Sequence, residues 1–75
     1  MAILDLHGYY IQDAWKEFKR FVDECDKMKY ITVITGKGKI QEEFEHWVEV
    51  NPVLKSCELL PTGGAYKVNY KRRIK

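Results

Sequence analysis

The chain has 75 residues, is 45% hydrophobic and 32% charged, and carries a net charge of +2, the profile of one small globular domain spanning residues 1–75. No run approaches the roughly 20 apolar residues that cross a bilayer. No basic flank and apolar run open the chain either, so no membrane segment or secretory signal is expected. The only cysteines, Cys25 and Cys57, are unclustered and are expected as reduced thiols in a cytoplasmic protein.

Residues 2–7 alternate. Ala2, Leu4 and Leu6 fall on one side and Ile3, Asp5 and His7 on the other, which predicts a half-buried strand ended by Gly8. Ile11, Ala14, Trp15, Phe18, Phe21, Val22 and Cys25 then recur at helical spacing, so an amphipathic helix is expected over 11–27. Residues 30–35, YITVIT, are β-branched and apolar and predict a buried strand. After the GKG that follows, Ile40, Phe44, Trp47 and Val48 mark a second helix stopped by Asn51-Pro52. A third strand is expected within 53–60. Pro61-Thr62-Gly63-Gly64 makes a turn, and residues 65–72 alternate as a fourth strand. There Tyr66, Val68 and Tyr70 oppose Lys67, Asn69 and Lys71.

The order β-α-β-α-β-β predicts an α/β two-layer sandwich. Strand–helix–strand units imply parallel pairing and right-handed crossovers. A four-residue turn favours a hairpin for the last two strands. The expected fold is a mixed four-stranded sheet with both helices on one face. Leu4, Leu6, Tyr66, Val68 and Tyr70 would pack under the helices, and Asp5, His7, Lys67, Asn69 and Lys71 would line the open face.

Asp5 and His7 share a face because strand side chains alternate. They end the first strand as Thr35-Gly36-Lys37-Gly38 leaves the second. In a parallel unit those two ends are neighbours, at the edge where open α/β sheets bind ligands. Glycines before a helix let successive N–H groups converge on one point, and Lys37 and Lys39 add full charges. Phosphate is the natural guest, although a tight turn that merely needs glycine has the same spelling. The GKG run lacks the length and the ending of a nucleotide P-loop, and no dinucleotide fingerprint is present, so no nucleotide cofactor is expected. Histidine is the residue type suited to proton transfer near neutral pH. Asp5 can orient the His7 ring or join it in binding a divalent cation; the plainer alternative is that His7 caps the strand end by a backbone hydrogen bond and Asp5 pairs with a lysine. Tyr9 and Tyr10 flank the site and either stack on bases or staple the first helix to the sheet. His46 falls opposite the Ile40–Trp47 stripe and reads as a solvated helix residue. Trp15 and Trp47 lie in the apolar stripes and read as core. No His/Cys cluster has zinc spacing. Charge is unevenly placed: acids crowd 13–26 and 42–49, whereas the last nine residues hold five Lys or Arg and no acid. Those residues, Lys67, Lys71, Arg72 and Arg73 among them, are either a solubilising tail or a surface that meets phosphates.

Together, Leu4-Asp5-Leu6-His7-Gly8, Thr35-Gly36-Lys37-Gly38, and Gly63-Gly64-Ala65 with Val68 and Tyr70 resemble the Smr (small MutS-related) domain. That family has LDLHG, TGKG or TGRG, and a late GGxGAxxVxL stretch in this order. The resemblance implies a fold like the C-terminal domain of the third bacterial translation initiation factor. It also implies binding to DNA or RNA without a membrane, with nicking or endonuclease activity in several members. It assigns an active centre to Asp5, His7 and Lys37, with Gly36, Lys37, Gly38 and Lys39 in the binding loop. A divalent metal enters the expectation if DNA is the substrate, because water must then attack. Many members continue TGKG with His-Ser; this chain continues Lys39-Ile40-Gln41, and its late glycine motif is shortened. The alternative is a non-catalytic module that binds RNA, the ribosome or a protein.

Overall fold

The computed structural model describes residues 2–25 and 27–71. Its elements run β1 (Ile3–Asp5), α1 (Ile11–Glu24), β2 (Tyr30–Ile34), α2 (Lys39–Val50), β3 (Leu54–Leu59) and β4 (Ala65–Tyr70). They form a four-stranded mixed sheet in the order β1-β2-β4-β3, with both helices on one face. β1 runs parallel to β2, β2 antiparallel to β4, and β3 antiparallel to β4.

The second strand–helix–strand unit departs from the expected parallel pairing. β4 enters between β2 and β3, so the strands that flank α2 do not touch. The burial patterns give the reason. In β4, Tyr66 and Val68 are buried and Lys67 is half-covered, whereas β3 carries exposed Lys55, Ser56, Glu58 and Leu59. A strand with several exposed polar side chains suits a sheet edge, where charge deters pairing with another chain. The hairpin turn is pinned by Leu60 N–H on the Ala65 carbonyl and Gly63 N–H on the Leu60 carbonyl, both at 2.9 Å.

The core lies between the sheet and the helices. Leu6, Ile31, Val33, Tyr66 and Val68 meet Ala14, Phe18 and Val22 of α1 and Ile40, Phe44, Trp47 and Val48 of α2. Leu4 and Tyr70 pack against this cluster from its margin. Phe18 and Phe44 meet edge to face at 5.1 Å between ring centroids, and Phe44 stacks on Tyr66 at 4.7 Å. Trp15 and Trp47 touch at 5.1 Å, so both act in the helix–helix seam. The Tyr70 hydroxyl donates to the Val22 carbonyl at 2.8 Å and ties β4 to α1.

α1 ends at Glu24, three residues before the expected boundary. The Cys25 N–H bonds the Phe21 carbonyl and the Met28 N–H bonds the Cys25 carbonyl, a turn that feeds β2. α2 stops at Asn51, whose extended backbone is the conformation that a following proline imposes. Cys25 and Cys57 are free and half-buried. Among the described residues, no helix is long and apolar enough to cross a membrane.

Candidate functional site

Parallel pairing continues past the end of β1, because Leu6 N–H donates to the Ile34 carbonyl at 2.8 Å. The residues that follow each strand, His7 and Thr35, therefore leave the sheet side by side. The Asp5 carboxylate accepts the backbone N–H of His7 at 2.9 Å. This is an Asx turn, and it bends the chain at the strand tip. Gly8 follows with φ +87°, a left-handed conformation that glycine adopts without strain. The Asp5 carboxylate thus holds the backbone of His7, an arrangement that differs from the ring contact, the shared cation and the lysine pair expected for it.

The second loop turns on Gly36, at φ +71°. A Cβ there would stand 3.4 Å from Cδ2 of His7, so the imidazole rests over the loop. The third loop closes from the other side. Thr35 and Gly36 both donate backbone N–H groups to the Gly64 carbonyl, at 2.8 and 3.0 Å. The Thr35 hydroxyl, in a residue only 4% exposed, donates to the Gly36 carbonyl at 2.9 Å. A Cβ on Gly63 would meet Lys37 Cε at 3.2 Å, so the lysine stem lies across that glycine. Gln41, from the first turn of α2, donates its amide to the Gly63 carbonyl at 2.6 Å. Sequence reasoning did not single out this glutamine as a support; a polar side chain one turn into a helix that follows a glycine loop was its only signal.

The first two loops line a cleft of about 410 Å³, from His7 to Ile11 and from Thr35 to Ile40, and the third braces the second through the Gly64 carbonyl. Two helices begin in its wall. α1 starts after Tyr10 and α2 after Gly38, and neither has a side-chain cap. Uncapped first turns present backbone N–H donors and partial positive charge. Lys37 and Lys39 line the same cleft and are exposed. The arrangement can hold an anion between two helix starts, with an imidazole beside it.

The Smr domain family matches residues 4–65. This chain belongs to that family. The crystal structure of the Smr domain of Thermus thermophilus MutS2 has the same fold: the TM-score is 0.86 at 18% identity, covering 96% of this chain and 100% of that one. No curated protein sequence matches the chain. In this Smr domain both loops of the cleft and the Gly63–Gly64 loop that braces them lie within the matched stretch, whereas Lys67 and Lys71 lie beyond it.

The structure does not bring those two lysines to the cleft. Lys67 pairs in register with Thr32, midway along the sheet, and its ammonium sits 4.6 Å from the Tyr30 ring on the open face. Lys71 is exposed at the far end of β4, where its N–H bonds the Val53 carbonyl. Because β4 runs antiparallel to β2, that end lies about 20 Å along the strand from the cleft, six residues at roughly 3.3 Å each. Arg72 and Arg73 lie outside the described residues. His46 is exposed on α2, away from the cleft. Among the described residues, no three His, Cys, Asp or Glu side chains gather to hold a metal ion. The titratable groups that burial perturbs also lie elsewhere. Burial, and then the Glu45 carboxylate, raise the Cys57 thiol and the Tyr66 phenol above their usual values.

Proposed function

We propose that this Smr domain binds nucleic acid by gripping the sugar–phosphate backbone in the cleft between the His7 loop and the Gly36–Lys39 loop. The observation that carries the reading is convergence. The His7 ring, Lys37, Lys39 and the uncapped starts of both helices line one cavity. Each contributes positive charge or N–H donors, and a phosphodiester offers the matching acceptors. Asp13 and Glu42 stand in the first turns of the two helices, but neither lines the cleft, whose charged side chains are those of Lys37 and Lys39.

The same residues suit cleavage of RNA. His7 takes the proton of a ribose 2′-hydroxyl, the 2′-oxygen attacks phosphorus, and the 5′-oxygen leaves as that P–O bond breaks, taking a proton from water or from the imidazolium. Lys37 and the loop N–H groups stabilise the charge that gathers on the phosphorane. With a single imidazole in the cleft, base and acid duties fall on one side chain or on solvent, so turnover is slow.

Labelled RNA and single-stranded DNA, titrated at several salt concentrations, test both steps. Affinity should fall steeply with salt, and Lys37→Ala should reduce the logarithmic salt slope by about one phosphate contact. His7→Ala should still bind, more weakly, through Lys37, Lys39 and the helix starts, and should abolish cleavage; chelator should leave RNA cleavage unchanged. Salt-independent binding, or equal binding by Lys37→Ala, would rule out the backbone grip. Cleavage that survives in His7→Ala would leave the grip standing and remove the histidine from the chemistry.

A further inference from the structure

Backbone binding leaves one feature of the cleft unused. Tyr10 is 84% exposed and Tyr9 46% exposed at its rim. The chain beneath them is fixed, since Tyr9 N–H bonds the Leu6 carbonyl at 3.1 Å and the Tyr10 carbonyl accepts Ala14 N–H at 2.9 Å. Tyr10 occupies the cap position of α1 in an extended conformation and makes no side-chain cap bond. Serine, threonine, aspartate or asparagine would bond a free N–H there. A tyrosine in that place contributes neither a cap nor core burial, and such breaches of local preference gather where a protein binds something.

We infer that Tyr10, with Tyr9 beside it, is a stacking platform for an unpaired base, so the ligand is a single strand or an unpaired loop and not an intact duplex. This rests on the sugar–phosphate reading of the cleft. A ring with two torsions on a fixed backbone loses little freedom when it stacks. A base stacked in a duplex has both faces covered by its neighbours, and it meets the tyrosine only after leaving the helix. The cleft is of small-ligand size, matching one nucleotide unit with its phosphate inside and its base at the rim.

The test is equilibrium binding by fluorescence anisotropy. The probes are a labelled oligonucleotide, as RNA and as DNA, an abasic strand of the same length, and a blunt duplex. Effects are read on whichever of RNA and DNA binds more tightly. The base-bearing strand should bind about tenfold more tightly than the abasic strand, the scale of one stacked base. Tyr10→Ala should erase that difference and leave abasic binding unchanged, and Tyr10→Phe should retain it. Tyr10→Ser supplies the missing cap and so secures folding, and it should behave like Tyr10→Ala. Equal binding of base-bearing and abasic strands, a Tyr10→Ser loss that is the same on both, or tightest binding to the duplex overturns the platform. Those outcomes leave the backbone grip intact, whereas failure to bind any of the strands overturns the grip as well.

Discussion

At the scale of single residues, two glycines two positions apart answer to different demands. Gly36 is left-handed at φ +71°, and its nearest neighbour would leave an added Cβ in ordinary contact at 3.4 Å. Backbone strain, not collision, therefore decides the outcome. Gly36→Ala should destabilise the domain by about 1–2 kcal/mol, the cost of forcing an L-residue into that region. Gly38 is extended, and a Cβ added there would meet nothing within 4 Å. Gly38→Ala should therefore stay within about 0.5 kcal/mol of the parent, as uncrowded surface changes do. Urea titrations of the two variants read the contrast, and equal losses would contradict it. Asp5 makes a second case. Its carboxylate accepts the His7 N–H, a service that an asparagine oxygen also performs. Asp5→Ala should cost about 1 kcal/mol, the usual net worth of one such bond, and Asp5→Asn should restore most of it together with binding. If binding fails to return in Asp5→Asn, the carboxylate's charge matters beyond the turn. The convergence of His7 with the glycine–lysine loop was legible in the sequence, because parallel pairing makes strand ends neighbours. Which atom of His7 the aspartate holds was not, since a D-x-H spacing serves ring and backbone alike.

At the scale of elements, the apolar spacings were legible because each helix must bury one stripe, and Phe18, Val22, Phe44 and Trp47 are all in the core. The end of α1 was not, since the stripe marks which residues face inward and not where the last turn unwinds. The order of the last two strands was also hidden. Only the burial of Tyr66 and Val68 against the exposure of Lys55 and Glu58 separates the inner strand from the edge. The two helices are joined to each other and to the sheet mainly through rings, with Phe18, Phe44, Trp47 and Tyr66 in successive contact. Phe18 and Phe44 are fully buried. Removing either ring to alanine should cost about 3–5 kcal/mol, a transfer loss plus a cavity. A chain of this length holds only about 4–11 kcal/mol in all, so either variant should melt far below the parent, and the double variant should lack cooperative unfolding by circular dichroism. A loss under about 1 kcal/mol would mean that the site collapses around the gap.

At the scale of the whole molecule, charge and burial act on opposite parts of the domain. The cleft edge is basic and open, while the perturbed acids, Cys57 of β3 and Tyr66 of β4, lie in the sheet and do not line the cleft. Cys57 and Tyr66 keep their protons in the folded state beyond the usual values of 9.0 and 10.0, through burial first and the Glu45 carboxylate second. The unfolded chain releases those protons as pH rises past 9.0 and then 10.0, while the folded chain still binds them. Stability falls wherever the folded state holds more protons than the unfolded state. The contribution of the pair is therefore fully present below the unfolded values and is lost as pH rises through the folded ones. Urea midpoints should thus decline on the alkaline side, and Tyr66→Phe and Cys57→Ala should each flatten that decline by removing one titrating group. Glu45→Gln should flatten it less, because the carboxylate is the smaller cause of both shifts and burial persists without it. An alkaline slope unchanged in Tyr66→Phe and Cys57→Ala alike would place the sensitivity in other groups. Binding separates this effect from the cleft: the Glu45→Gln variant, altered at an exposed position of α2 that does not line the cleft, should grip a strand as the parent does while its alkaline midpoint moves.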